Sequence, residues 1–397
     1  MSANTLTGLI PVLYQALDII SRELVGFIPA VTRNSSAARA AVGQQITYPI
    51  VPAMSAADIT PSATTTDASG VTVGTDSLTI SKSRKVEFPW TGEEQMSLRN
   101  SAGVHLDGGS NMETILRDQF AQAMRTLVNE VETDIAALYV NSSRAYGTAG
   151  TAPFGTANDL SDFAGVRRIL DDNGAPQSDL HLVINTAAMA NVRGKQAVLF
   201  KVNEAGTADL LRRGILGEVQ GLMIHNSAQV KNHTKGTGAS YQTNGAQALG
   251  ATTIAVDTGT GTIIPGDVLS IANGTPADSN KYVNKTALSG GNVVINKPGL
   301  LSSHVDNDGV TVGNNYAANM AFHRSAIHLV TRAPAMPIGP DGKPMDVADD
   351  VMEIVDPVTG LAFQVVLYRQ VRQLKYEVCL AWGVKAVKSE HMCLLLG

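Results

Sequence analysis

The sequence predicts an α+β fold in which a small all-β barrel interrupts an α/β layer, and three observations carry that prediction. A long amphipathic repeat begins at Ser110, and helices alternate with strands from Leu160 to Val230. From Lys231 to about Tyr316 helical periodicity gives way to short strands separated by Gly, Asn and Pro. At 397 residues the chain exceeds what one hydrophobic core usually serves, so more than one domain is expected.

Pro11 suits a first helical turn, and Leu13, Leu17, Ile20 and Leu24 follow at helical spacing until Gly26 and Pro29 stop it. Val12, Ala16, Ile19 and Phe27 make its other side apolar too, so this helix should have partners on more than one face. Ile46 to Val51 and Ser77 to Trp90 read as strands, the second from the period-two stretches of Leu78, Ile80, Val86 and Phe88. From Ile46 to Ile80 the only charged residues are Asp58, Asp67 and Asp76, and the middle, AMSAADITPSATTTDASG, is rich in Thr, Ser and Ala. Such a segment cannot build its own core. It is either a flexible loop or a two-stranded arm laid over another molecule's surface, because a lone hairpin is marginal in water.

Gly108 and Gly109 precede a capping-box pattern at Ser110 and Glu113. Met112, Leu116, Phe120, Ala123, Leu127, Val131, Ile135 and Leu138 then repeat at threes and fours, with Arg117, Arg125, Glu132 and Asp134 placed mostly off that stripe. A helix running to Tyr139 would extend on the order of 40 Å. Leu160 to Asp172 reads as a second helix, closed by Asn173, Gly174 and Pro176. A buried strand (Leu180 to Ile184), a short helix (Thr186 to Val192) and the segment GILGEVQGLMIHNSAQV (Gly214 to Val230) follow. The barrel strands are TTIAVD (252–257), DVLSIA (267–272), KYVN (281–284) and NVVIN (292–296), with turns at Asn273–Gly274 and Gly290–Gly291. Beyond them Ala321 to Thr331 reads as one strand. Phe363 to Arg369 and Tyr376 to Val387 read as two more, around a polar turn at Gln370 to Gln373.

Hydrophobic residues make up 44% of the chain and charged residues 16%, well below the usual quarter. Little charge is spent on a solvated surface, as expected where neighbouring subunits cover much of the outside; a secreted, Thr-rich β protein is the alternative. The net charge of −5 comes from 30 basic and 35 acidic residues that are well mixed, so no basic stripe points to tight nucleic-acid binding. Cys379 and Cys393 fit neither a redox pair nor a zinc knuckle and are expected as buried free thiols. The opening MSANTLTGLIPVLYQALDII has no basic residue before its apolar stretch, so no export signal is expected. No run of about 18 apolar residues occurs, so no membrane span is expected either.

The motifs of common chemistries are absent. None of the eight His residues forms HExxH or pairs with Cys at zinc spacing; His323 and His328, five apart on an expected strand, would face opposite sides. There is no GxSxG elbow, and the GPDGK stretch at Gly339 lacks the length and hydroxyl of a P-loop and reads as a hairpin turn. Asp306, Asn307, Asp308 and Gly309 match the start of a calcium loop, but no Glu follows at the right distance, so a turn is expected. Gly259 and Gly261 lie in an all-β context and make no dinucleotide fingerprint. No catalytic, cofactor-binding or metal-binding residue is assigned.

The order of elements resembles the coat proteins of tailed phages with the Hong Kong 97-type fold. GILGEVQGLMIHNSAQV is similar to the stretch that places a strand after a Gly-containing turn in those proteins. NYAANMAFHRSAIHLVTRAPAMP (Asn315 to Pro337) resembles the return to the shell domain after the inserted domain of podovirus coat proteins. GATTIAVDTGTGTIIPGDVLSIANG (Gly250 to Gly274) resembles that inserted domain, in the group named for phage P-twenty-two. The resemblance implies an N-terminal arm (1–44), an E-loop (45–90), a P-domain with the spine helix (91–153) and an A-domain in two parts (154–230 and 317–355). The barrel would be inserted at 231–316, and C-terminal strands (356–397) would return to the P-domain. It further implies a major capsid protein of the virion, assembled in the bacterial host cytoplasm into pentamers and hexamers of an icosahedral shell. Its partners would be a scaffolding protein, a portal protein at one vertex and packaged double-stranded DNA held by weak non-specific contact, with no membrane. Some relatives cross-link their shells through a loop Lys, but here no Lys precedes Lys82 in the loop, so no cross-link is expected. The rival readings are an encapsulin-like compartment, a secreted surface-layer or adhesin protein, and a hydrolase with an unrecognised site.

Overall fold

The computed structural model describes residues 13–17, 26–50, 56, 73–100, 111–196, 199, 217–340, 345–356 and 359–397. It is a mixed α+β protein with two sheets and a separate hairpin. Residues 13–17 are helical, with Leu13, Ala16 and Leu17 buried. β1 (Thr32–Ala40) follows, then β2 (Gln45–Ile50), β3 (Gly74–Thr79), β4 (Lys82–Thr91) and helix α1 (Gly92–Asn100). The spine helix α2 (Asn111–Ala136) tightens into a 3-10 turn at Ala137–Asn141 and leads to β5 (Arg144–Tyr146). The expected cap at Ser110 lies outside the described residues. Next come α3 (Ser161–Asp172), β6 (Leu180–Ile184), α4 (Thr186–Lys195), β7 (Glu218–Val219) and β8 (Leu222–Asn226). α3 ends as the sequence indicates, at Asn173 with Gly174 at φ +72°.

Short strands follow: β9 (Asn232–His233), β10 (Tyr241–Thr243), β11 (Thr253–Asp257), β12 (Val268–Ile271), β13 (Lys281–Val283), β14 (Asn292–Val294) and β15 (Gly309–Val312). β14, β11, β10, β15, β12 and β13 are neighbours in that order. The bridge between Asn284 and Ile295, with Lys285 N–H donating to Val294 O at 2.7 Å, joins the two ends of this group of strands. Its interior is a core of its own, built on Ile254, Val256, Leu269, Tyr282 and Val293. Period two decides what faces out: Val268 and Val283, each next to an inward residue, belong to the main core instead. β13 also pairs with β5, so this group of strands is sewn to the central sheet by backbone bonds.

The chain then returns through β16 (Tyr316–His323), β17 (Ile327–Pro334), β18 (Asp350–Val355), β19 (Ala362–Gln370), β20 (Gln373–Ala386) and β21 (Met392–Leu396). The sequence reading of Ala321 to Thr331 as one strand needs correction. A 3-10 corner at Arg324–Ala326 breaks it, sending β16 into the central sheet and β17 into the outer one. His323 and His328 therefore lie on different strands. β17 and β18 join β19 and β20, whereas β21 leaves them, after a 3-10 turn at Ser389–His391, to sit between β5 and β16.

The central sheet is buried on both faces. Leu182, Ile184 and Leu395 pack under α3 and α4, through Phe163, Val166, Leu170, Ala188 and Val192. Val183, Met320, Phe322 and Leu394 face the main core on the other side. The outer six-stranded sheet runs β1-β17-β20-β19-β18, with β4 along the other edge of β20. α2 lies across β4 and β20, and Phe88, Phe120 and Tyr376 meet there with ring centroids 5.1 to 5.6 Å apart.

Candidate assembly elements

Among the described residues β2 and β3 pair only with each other, Gln45 opposite Thr79 through Ile50 opposite Gly74. The hairpin is held at its base. Leu78 and Ile80 are buried against Val330 and Ala381, and Ser81 N–H donates to Trp382 O at 3.0 Å. Gly383 permits the approach: a Cβ there would lie 2.2 Å from Thr79 O and 2.8 Å from Leu78 Cδ2. Tyr48 stacks on His328 with centroids 5.2 Å apart and donates to Asp76 Oδ2 at 2.9 Å. Lys385 Nζ bonds Asp76 and the Ser77 carbonyl, the latter at 2.8 Å. The Lys385 ammonium is the main reason the Asp76 carboxyl is held below its ordinary range. The middle of the loop, apart from Ala56, lies outside the described residues.

A second junction centres on Glu132, which the helical pattern assigned to the polar side of the spine and which the structure buries completely. Phe27 and Ile28 N–H donate to Oε1 at 2.9 and 2.8 Å, and Ser227 Oγ donates to Oε2 at 3.0 Å. One side chain of the spine thus ties the N-terminal segment to the end of β8. Gly26 is required here, since a Cβ would lie 2.8 Å from Asn226 O. Burial pushes the Glu132 carboxyl up, against the pull of these donors. The signal that could have found it is its spacing: it follows Val128 by four residues, on the buried side.

On the face of the outer sheet turned away from α2, four charges alternate across β4 and β20. Lys85 Nζ lies 2.9 Å from Glu87 and 3.0 Å from Glu377; Lys375 Nζ lies 2.6 Å from Glu377 and 3.4 Å from Glu87. The Lys85 ammonium, above all, brings the Glu87 carboxyl down to about 2. Three of the most exposed apolar side chains, Ile338 (74%), Met345 (60%) and Val347 (90%), fall within ten residues of one another beside β18.

Cys379 and Cys393 are buried free thiols, both pushed up by burial. Asp308 is buried and accepts from Val305 N–H and Asn273, holding a turn in which Asn307 has φ +67°. Gly259 packs its bare Cα against the Tyr241 ring. Asp341 to Lys343 of the stretch at Gly339 lie outside the described residues. Lys82 is paired with Asp134 at 2.8 Å. No group of three His, Cys, Asp or Glu side chains among the described residues is arranged to hold a metal ion. No described helix is long and apolar enough to cross a membrane. A recess of about 930 Å³ lies between α4, β5 and the segment of Ser279 and Lys281. Its Asp162 accepts from Phe154 N–H at 2.6 Å, its Asn191 donates to Pro153 O and its Lys281 bonds Gly147 O.

No family model matches the chain, and no curated protein matches it. Among solved structures it is similar to a chain of Mycobacterium phage Che8, at 12% identity and a TM-score of 0.43, covering 96% of this chain and 90% of that one. It is also similar to the capsid of the cyanophage P-SCSP1u, at 12% identity and a TM-score of 0.47, covering 94% and 88%. A virus-like particle from Pyrococcus furiosus matches at 10% identity and a TM-score of 0.40, covering 96% and 97%.

Proposed function

We propose that the chain is the major capsid protein of a tailed double-stranded DNA phage, a shell subunit with a Hong Kong 97-type fold and no catalytic role. The observation that carries the reading is the β2–β3 hairpin. It is clasped to the body at its base by Tyr48, Asp76 and Lys385, and leads into 51–73, whose only charged residues are Asp58 and Asp67. A hairpin that pairs with no third strand is stabilised when another surface covers it, and a neighbouring subunit supplies one. The exposed Ile338, Met345 and Val347 add a second apolar contact region.

On this reading 1–44 is the N-terminal arm, 45–90 the E-loop and 91–153 the start of the P-domain, which β17 to β20 complete. The A-domain is the central sheet with α3 and α4, from 154–230 and β16, closed by β21, and the barrel within 231–316 is inserted. The subunits form pentamers and hexamers of an icosahedral shell in the virion, assembled around a scaffolding protein in the host cytoplasm, with a portal at one vertex. Packaged DNA is held weakly, consistent with the net charge of −5.

Electron microscopy of the chain expressed with and without the scaffolding gene of its phage tests this reading. Closed regular shells are expected, and their dependence on scaffold separates a phage capsid from a cellular compartment. A folded monomer that never assembles in either case overturns it.

A further inference from the structure

The corner at Arg324–Ala326, where the chain passes from the central sheet to the outer one, is gripped by a buried histidine, His181, backed by the half-buried His225. His181 on β6 places Nδ1 3.0 Å from His225 Nε2 on β8, and the rings are 5.2 Å apart. On its other side His181 Nε2 lies 3.3 Å from Arg324 Nη2 and 3.3 Å from Asp179 Oδ1, and these two groups lie 3.3 Å from each other. Arg324 N–H also donates to Asp179 O at 3.2 Å, and Arg324 O accepts from Thr32 Oγ1, so the corner holds β1 as well.

His181 Nε2 has a donor, Arg324, and an acceptor, Asp179, at the same 3.3 Å, so its tautomer turns on which of the two it bonds. A guanidinium only donates, so a bond from Arg324 leaves His181 Nε2 bare; His181 then carries its proton on Nδ1 and donates it to His225 Nε2. A proton added to His225 sets two N–H groups against each other at 3.0 Å. One added to His181 Nε2 turns it from acceptor into donor, which keeps Asp179 as a partner and gives up the bond from Arg324. In either case the bond between the rings or the bond from Arg324 is lost and a positive charge is gained beside Arg324, with the Asp179 carboxylate in direct contact.

We propose that the His181–His225 pair is an acid-sensitive clasp on this corner, and that protonating it loosens the outer sheet from the central one. Around it lie Arg33, which faces Arg324, then His323 with Asp179 and Lys388, and His391 with Lys388 and Glu390. Burial, then His225 and Arg324, holds His181 down at about 4, and burial followed by Arg324 lowers His225. The fold therefore favours the neutral rings. Their contribution is complete above the unfolded value of 6.5 and is lost as pH falls towards about 4.

The test is amide hydrogen exchange on the full chain at about pH 7.5 and about pH 4.5, corrected for the intrinsic pH dependence. Amides at 181–183, 222–226 and 324 should lose about tenfold or more in protection on acidification, the equivalent of one unit of displaced pKa. In His225→Gln the amide oxygen accepts from His181 and takes no proton, so the loss should shrink to the part that His181 itself carries, whereas His391→Gln should retain it in full. Unchanged protection of the unsubstituted chain at the lower pH, or an equal loss in His225→Gln, overturns the proposal. Should that variant fail to fold, imidazole NMR titration of the unsubstituted chain decides. The His181 and His225 resonances must shift over the same pH interval as the corner amides open, and a mismatch overturns the clasp.

Discussion

Glu132 concentrates three contacts on one buried carboxyl, so its replacements should differ sharply. Glu132→Ala strands the Phe27 and Ile28 N–H groups and leaves a hole, and should cost about 2–3 kcal/mol in urea unfolding. Glu132→Gln keeps an acceptor for those amides without burying a charge, and should cost less than about 1 kcal/mol. Because burial raises the Glu132 carboxyl, its favourable contribution is present below the unfolded value near 4.5 and is lost as pH rises through the raised one. The deficit of Glu132→Gln should therefore shrink towards neutral pH. Gly383 offers an equally local test of a different kind. Gly383→Ala would push its methyl into Thr79 O, so hydrogen exchange should show β3 losing protection while β19 and the rest of β20 keep theirs. Equal loss throughout the sheet would show that the glycine serves the strand itself rather than the docking of the hairpin.

Elements whose apolar pattern agrees with their surroundings were legible in the sequence. α3 declares itself by Phe163, Val166, Ile169 and Leu170 ahead of Asn173 and Gly174, and the barrel strands by alternation between Gly turns. β1 was not legible, because TRNSSAARA has no apolar alternation. It is a strand because β17 offers a parallel partner, a contact nearly 300 residues away that no local window contains. The corner at Arg324–Ala326 was missed for the opposite reason: the residues on both sides are apolar enough to read as one run. The strands of the hairpin were visible in Ile46 to Val51 and in the alternation of Leu78 and Ile80, but its clasp was not, since Tyr48 and Asp76 acquire their meaning from Lys385. The square of charges across β4 and β20 belongs to this scale too. As pH falls from about 4.5 towards about 2 the Glu87 carboxylate is lost, and with it the ladder's cross-strand attraction. The group is half exposed, so the effect should be small and should fade further in about 1 M salt, as exchange along β4 can show.

In the whole molecule, the barrel combines independence with attachment. Its interior core shares no residue with the other clusters, yet β13 is bonded to β5, and Asn296 Nδ2 donates to the carbonyls of Val140 and Ser142 at 2.7 and 2.9 Å. Leu269→Ala should therefore cost about 2–5 kcal/mol within the barrel and reduce exchange protection there, while α3, α4 and β6 remain as protected as before. A uniform loss would mean that barrel and body unfold as one cooperative unit. The clasp at His181 and His225 acts on the other side of the central sheet, so acidification and barrel substitutions should be additive.

The position of β21 has a consequence for how the molecule is made. β5 and β16 are separated by a strand drawn from residues 392–396, and Ser143 waits for Met392, 249 residues further along, to accept its backbone and hydroxyl protons. At ribosomal speeds of roughly 5–20 residues per second that delay is roughly 12–50 s. During it, the emerging polypeptide holds a gap in its middle lined by backbone groups and by apolar side chains such as Ala145 and Met320. Nascent chains stalled just before Met392 should accordingly be captured by chaperones and cut readily by proteases, and release of the last strand should seal the gap in one step.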